Sequence, residues 1–179
     1  MTERQAGIIG WLACLWGLLG VTAILAFAVF RLGRHMFSAF EYDWSLLQVA
    51  ACILNVAFMA WSEGYRGFQK GFSPRTVARA MHLIRHPGWF SGLLAPLFCA
   101  GYFLAEKRVR MVVWIGTVGI VILVLLVQQT PQPWRGIIDA GVVVGLSWGI
   151  VSLWLIAIRS LISGVPPADS RVPEKASLK

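Results

Sequence analysis

Five apolar runs constrain this chain more than any other feature. They cover approximately residues 7–30, 45–62, 89–105, 111–128 and 137–158. A membrane-spanning helix needs about 20 apolar residues, and a soluble domain could not cover this much apolar surface with polar side chains. Hydrophobic residues make up 58% of the chain and charged residues only 13%. The sequence therefore predicts an all-α membrane protein, a five-helix transmembrane bundle that forms a single domain over residues 1–163.

A polar and basic stretch at residues 63–89, called the basic segment below, separates the second apolar run from the third. Ser73 followed by Pro74 is typical of a helix N-terminus, so one interfacial amphipathic helix is predicted over about 74–86. Its cationic face would meet lipid head groups, and Val77, Ala80 and Met81 would form its apolar face. The side chains predicted to bind lipid phosphate groups are Arg66, Lys70, Arg75, Arg79, His82, Arg85 and His86.

Small residues at helical spacing predict close packing between helices. In the fifth run, Gly141, Gly145 and Gly149 recur every four residues. The sequence leaves open whether their partner helix belongs to the same chain or to a second copy. A similar stripe in the first run consists of Gly10, Ala13, Gly17 and Gly20.

Polar side chains within the apolar runs are few, and each needs a partner. Gln48 and Asn55 share one face of the second run and are predicted to hydrogen-bond to other helices, with a ligand pathway as the alternative. Glu63 and Asp139 lie near predicted membrane boundaries, where ion pairing is the structural interpretation and a proton-carrying role is the alternative. The predicted ion pairs are Glu63 with Arg66 and Asp139 with Arg135.

A net charge of +8 is typical of nucleic-acid-binding proteins, but here the 16 Lys and Arg residues cluster at the ends of apolar runs. We interpret them as membrane-topology charges, and no nucleic-acid partner is predicted. The predicted partners are membrane lipid and either a second copy of the chain or a partner membrane subunit. Cys14, Cys52 and Cys99 have no metal-ligand spacing and are interpreted as small buried hydrophobic residues.

The charges favour an N-out and C-in orientation in a bacterial inner (cytoplasmic) membrane. Arg31 and Arg34 directly follow the first run, and the nearly uncharged link at 128–136 suits the outer side. This orientation puts the basic segment outside, and puts residues 107–110 and the C-terminal tail inside. The tail, residues 164–179, is rich in Pro, Ser and charged residues and is predicted to be disordered.

His82 and His86 are four residues apart, a spacing that can hold a metal on one helix face. Pro87 opposes helical geometry at His86, and no Cys, Asp or Glu lies nearby in sequence, so no metal and no cofactor is predicted. Residues 85–89, Arg-His-Pro-Gly-Trp, resemble the Arg-His-Pro-x-aromatic element of membrane methyltransferases that act on isoprenylcysteine or phospholipid amines. That family also carries a later pair of adjacent glutamates, which this chain lacks, so methyl transfer is only a runner-up.

The segments SEGYRGFQKGFSPR, APLFCAGYF and PQPWRGIIDAGVVVG resemble a group of bacterial integral membrane proteins with no assigned activity. The resemblance covers residues 62 to about 149 and implies no catalytic residue. The leading prediction is a binding or accessory module whose basic segment contacts anionic lipid or an acidic partner. The alternative is a small membrane enzyme or carrier acting on a lipid-like substrate, centred on His82, His86, Glu63 or Asp139.

Overall fold

The computed structural model describes residues 3–86 and 88–173, and this part of the chain is helical with no strand. A 3₁₀ turn, Ala39–Glu41, follows the first helix, and a π-helix, Ala60–Phe72, joins the second helix to the third. The α-helices are α1 (Glu3–Ser38), α2 (Leu46–Met59), α3 (Ser73–Arg85), α4 (Trp89–Leu93), α5 (Ala95–Ala100), α6 (Lys107–Val127) and α7 (Trp134–Ser163).

Within the described residues, four helical stretches are long and apolar enough to cross a membrane: Gly7–Glu41, Leu46–Arg85, Lys107–Val127 and Trp134–Ser163. The third predicted span, residues 89–105, is not among them, and the predicted count of five spans is not reproduced. That run breaks at Leu94, and Pro96 lies in the first turn of α5, where its missing N–H costs no hydrogen bond. Gly101, with a φ of 94°, then ends α5.

The interfacial helix predicted over about 74–86 does not stand apart from the second span. The π-helix carries the helical backbone from α2 directly into α3, so Ser73 is not a cap and its side chain is 0% exposed. Most of α3 is buried, including Val77, Ala80 and Leu83. The periodicity identified an amphipathic helix correctly, but that helix packs against protein.

The chain divides into two compact units. The first contains residues 1–23, 72–116 and 153–179, and its core includes Leu18, Leu83 and Phe98. Here the stripe of small residues on α1 lets the backbone of α3 approach closely. A Cβ on Gly10 would lie 2.7 Å from the carbonyl oxygen of Ile84. Glycine is therefore required where α1 passes the end of α3.

The second unit contains residues 24–71 and 117–152. In it the glycine stripe of α7 lies against α2 and the π-helix of the same chain. A Cβ on Gly145 would lie 2.9 Å from Glu63 Oε2, and a Cβ on Gly149 would lie 2.7 Å from the Phe68 ring. A Cβ on Gly141 would meet Asn55 and Met59.

The two polar residues of the second span behave differently. Asn55 Nδ2 donates 2.8 Å to the carbonyl oxygen of Ile137, the interhelical hydrogen bond expected from the sequence. Gln48 instead caps its own helix, because its Oε1 accepts from the Ser45 N–H at 2.8 Å and the Ser45 hydroxyl accepts from the Gln48 N–H. The expectation that Gln48 bonds to another helix is therefore wrong.

Candidate functional site

Arg79 lies at the centre of the first unit and is 2% exposed. Its Nε donates 2.6 Å to the carbonyl oxygen of Phe98, and its Nη2 donates to those of Phe103 and Leu104 at 2.8 and 3.2 Å. The guanidinium carbon also lies 4.2 Å from the centre of the Phe98 ring. A guanidinium has five donors in a fixed plane, against three on a Lys ammonium, so Arg79 can satisfy four carbonyls at once. Arg79 is thus a structural clamp, and the prediction that it binds lipid phosphate is wrong.

The C-terminal segment 164–173 is held against the first unit by backbone contacts. Arg79 Nη1 donates 3.1 Å to the carbonyl oxygen of Ser170, and Arg85 Nη2 donates 3.2 Å to that of Gly164. The Glu106 N–H donates 3.1 Å to the carbonyl oxygen of Arg171. The predicted disorder of the tail does not hold for these residues, and residues 174–179 lie outside the described part of the chain.

The contact between Arg79 and Ser170 also corrects the predicted topology. The N-out and C-in orientation puts residue 79 outside the membrane and residue 170 inside it. Two residues joined by a 3.1 Å hydrogen bond cannot lie on opposite sides of a hydrocarbon layer about 30 Å thick. The error follows from the third predicted span, which the chain does not form as one helix.

His82 and His86 open onto a cavity of about 260 Å³ in the first unit, together with Arg85, Asp169 and Ser170. The two imidazole rings are stacked with centroids 4.5 Å apart. Among the described residues, no group of three or more His, Cys, Asp or Glu side chains is arranged to hold a metal. The cavity is thus a polar pocket with mixed charge.

A second cavity in the first unit, of about 300 Å³, is lined by three arginines. Arg75 comes from α3, Arg108 from the first turn of α6 and Arg171 from the C-terminal segment, with Val109 and Val112 completing the lining. We call it the arginine cavity. Only Arg75 was predicted as a binding residue, because no sequence pattern connects three segments so far apart in the chain.

Two exposed cations of the basic segment lie over aromatic rings in the second unit. The Arg66 guanidinium carbon is 5.0 Å from the centre of the Trp61 ring, and Lys70 Nζ is 4.5 Å from that of Tyr65. The face of an aromatic ring has a negative electrostatic potential, so each ring attracts its cation and holds it in place. Trp61 itself is 54% exposed, which leaves both partners of its pair accessible.

A polar cluster in the second unit joins the end of α1 to the start of α7. Arg135 Nη2 donates to His35 Nε2 at 2.9 Å, so the other ring nitrogen of His35 carries its proton. Arg135 Nε lies 3.8 Å from Asp139 Oδ2, as the predicted ion pair requires. The side chain of Asp139 is only 4% exposed. The pair is an electrostatic contact without a hydrogen bond, because Arg135 Nε and Asp139 Oδ2 are both buried and, within the described residues, neither has a hydrogen-bond partner.

Glu63 does not form the ion pair predicted with Arg66, whose guanidinium lies over Trp61 instead. Within the described residues, Glu63 Oε2 is buried and has no hydrogen-bond partner. Glu63 and Asp139 belong to the second unit, whereas His82 and His86 belong to the first. The four residues considered as a catalytic or carrier centre are therefore divided between two units.

Neither a protein-family model, nor a curated protein, nor a solved structure matches this chain. The resemblance of its segments to bacterial integral membrane proteins therefore stays a prediction.

Proposed function

We propose that this chain is an integral protein of a bacterial inner membrane, and that its basic segment binds the head groups of anionic lipids. The observation that carries the proposal is the pair of accessible cations fixed over aromatic rings, Arg66 on Trp61 and Lys70 on Tyr65. Aromatic side chains concentrate at the membrane interface, where lipid phosphates also lie. Each basic side chain near an anionic leaflet contributes about 1 kcal/mol to attraction.

We infer an orientation with both termini in the cytoplasm. Four spans bring the two ends of a chain to the same side, and the described residues contain four helices long enough to span. The cytoplasmic side would then carry the cations near the ends of α3, α6 and α7, including Arg85, Arg108 and Arg159. The opposite side would carry few, Arg31, Arg34 and Arg135 among them, which agrees with the positive-inside rule.

Two other functions were predicted from the sequence, namely binding of an acidic protein partner and a membrane enzyme or carrier. An acidic protein partner could use the same cations, and its binding would differ from lipid binding in surviving delipidation. The membrane enzyme or carrier stays a prediction, with His82 and His86 in the first unit and Glu63 and Asp139 in the second.

Lipid retention tests the proposal. The full chain is purified in a mild uncharged detergent, exchanged into mixed phosphatidylglycerol and phosphatidylcholine, and the lipid that remains bound is measured by native mass spectrometry. We expect Arg66→Gln with Lys70→Gln to reduce the preference for phosphatidylglycerol by about 2 kcal/mol, or about thirtyfold. High salt should reduce the preference of the unaltered chain as well, because exposed charges are screened.

Arg31→Gln with Arg34→Gln is the matched control. It removes the same charge from two exposed arginines beside an apolar run, and within the described residues neither lies over an aromatic ring. The proposal fails if both double variants lose the preference equally, since net charge alone would then account for it. It also fails if neither variant changes the bound lipid.

A further inference from the structure

We propose that Arg75, Arg108 and Arg171 form a specific binding site for a phosphate group at the membrane boundary. The site deepens the proposed function, since it rests on the same membrane setting and names a ligand class. It does not depend on Arg66 or Lys70. Two of its three arginines, Arg108 and Arg171, lie outside the basic segment.

The arginine cavity brings three positive charges to one space of about 300 Å³. Among the described residues that line it there is no Asp or Glu. Over the part of the chain described, no hydrogen bond or ion pair occupies the guanidinium of Arg108 or Arg171. Guanidinium groups bind phosphate oxygens in pairs of parallel hydrogen bonds, so three of them around one cavity match a group with several equivalent oxygens.

The start of α6 makes the need for an anion stronger. Its first turn carries Lys107, Arg108 and Arg110 and no acid. The N-terminus of a helix has a partial positive charge and favours acids. Three cations there are therefore repelled by the helix end and by one another. Glu106 precedes the helix, but its side chain makes none of the described hydrogen bonds or ion pairs. A phosphate bound in the arginine cavity would provide acceptor oxygens for Arg108, for Arg171 and for the N–H groups at the start of α6.

Arg171 is held in position before any ligand arrives. Its backbone has a φ of 48°, a left-handed conformation that a non-glycine residue adopts only when its surroundings fix it. The Arg171 N–H donates 2.9 Å to Asp169 Oδ1, and its carbonyl oxygen accepts from Glu106. The preceding residue, Ser170, is bound by Arg79. This support reduces the conformational entropy that binding would otherwise cost.

The length of α6 indicates where the cavity lies. Its 21 residues span about 31 Å at 1.5 Å per residue, close to the hydrocarbon thickness of a bilayer. Its first turn therefore lies at the level of the head groups. Val112, which lines the cavity one turn further along, is 58% exposed and can contact an acyl chain. The ligand chemistry is thus a phosphate group, carried by a lipid phosphomonoester or by free inorganic phosphate.

The test is a titration of the full chain, in an uncharged detergent, with dioctanoyl phosphatidic acid. Isothermal titration calorimetry measures the affinity. We expect Arg108→Gln and Arg171→Gln each to weaken binding by about tenfold, the loss typical of one charged hydrogen-bonding partner. Arg108→Lys keeps the charge but loses the paired hydrogen bonds, and should lose most of the same affinity. Arg110→Gln, in the same helical turn but outside the cavity lining, should change affinity by less than about twofold.

Competition with inorganic phosphate distinguishes the two sources. If it displaces the lipid at similar concentration, the site takes free phosphate, and if it does not, the acyl chain contributes and the ligand is a lipid. Both results support the site. The proposal is overturned if Arg108→Gln and Arg171→Gln bind as the parent does, or if Arg110→Gln loses as much affinity as they do. Because Arg66→Gln with Lys70→Gln should leave this titration unchanged, failure here is distinguishable from failure of the proposed lipid preference.

Discussion

Arg79 Nη1 and the carbonyl oxygen of Ser170 are joined by a 3.1 Å hydrogen bond, although 91 positions separate the two residues in the chain. Through it, a buried guanidinium fixes the C-terminal segment to the same unit that contains α3, α4 and α5. The other carbonyls that Arg79 binds lie at the end of α5 and in the non-helical link that follows it. One side chain therefore joins three parts of the chain, namely α5, the link that follows it and the C-terminal segment.

Replacement of Arg79 should be among the most damaging single changes in this chain. Arg79→Met keeps much of the side-chain volume but leaves four carbonyl oxygens without their donor, at about 1 to 3 kcal/mol for each that water cannot reach. We expect a loss of at least about 3 kcal/mol in the free energy of unfolding in detergent. Trypsin should also cleave after Arg171 more readily. Arg110→Met, at an exposed position, serves as control, and equal stability of the two variants would contradict the clamp.

The glycine stripe of α7 gives a prediction with an internal control. Gly145→Leu should force α7 away from Glu63 and Met59, since a Cβ alone would already lie 2.9 Å from Glu63 Oε2. We expect a loss of about 1 to 3 kcal/mol or more, seen as a lower melting temperature. Gly116→Leu in α6 should cost little, because nothing described lies within 4 Å of a Cβ there. If both variants melt at the temperature of the parent, the α7 stripe does not pack as described.

What the sequence could predict depended on local periodicity. The four long helices and the contact stripe of α7 follow from apolar runs and glycine spacing within one helix. The prediction of one span over residues 89–105 failed because the run breaks into two short helices at Leu94 and ends at Gly101. The burial of Arg79 could not be foreseen, because its partners are backbone carbonyls, which any residue carries. The arginine cavity was missed for a related reason, since Arg108 and Arg171 meet Arg75 only in three dimensions.

The hydrogen bond from Asn55 to Ile137 should make a modest contribution to stability. Asn55→Leu removes a donor that lies 2.8 Å from the carbonyl oxygen of Ile137. Ile137 lies in the first turn of α7. We expect a loss of about 1 kcal/mol, the usual value for a polar contact between helices in a membrane. Chemical unfolding in mixed micelles measures it. No measurable loss would show that this hydrogen bond does not stabilise the contact between the two helices.

The pair formed by Arg135 and Asp139 should show coupling. Asp139→Asn leaves the Arg135 guanidinium with His35 as its described partner, and should cost about 1 to 3 kcal/mol. Arg135→Gln should cost a similar amount, because a carboxylate that is 4% exposed then loses its cation. The double variant should cost less than the sum of the two singles. Strict additivity in unfolding experiments would show that the 3.8 Å contact carries no interaction energy.

Reporter fusions test the inferred orientation. A cytoplasmic reporter joined after Lys179 should be active, and a periplasmic reporter inserted at Gln132 should also be active, because α6 and α7 connect there. A fusion at the N-terminus should report the cytoplasm as well. An external C-terminus would reverse the orientation, and ends on opposite sides would require an odd number of crossings.

The exposed apolar surface of α6 should tolerate more substitutions than the glycine stripe of α7. From Met111 to Leu126 most of its large side chains are exposed, and in a bilayer they would touch lipid tails. Lipid tails are fluid and do not distinguish Val from Leu or Ile, whereas the glycines of α7 are fixed by the shapes of Asn55, Glu63 and Phe68. Under random mutagenesis and selection for folding, α6 should therefore accept nearly any apolar residue and reject charges, while α7 should accept almost no larger residue at its glycines.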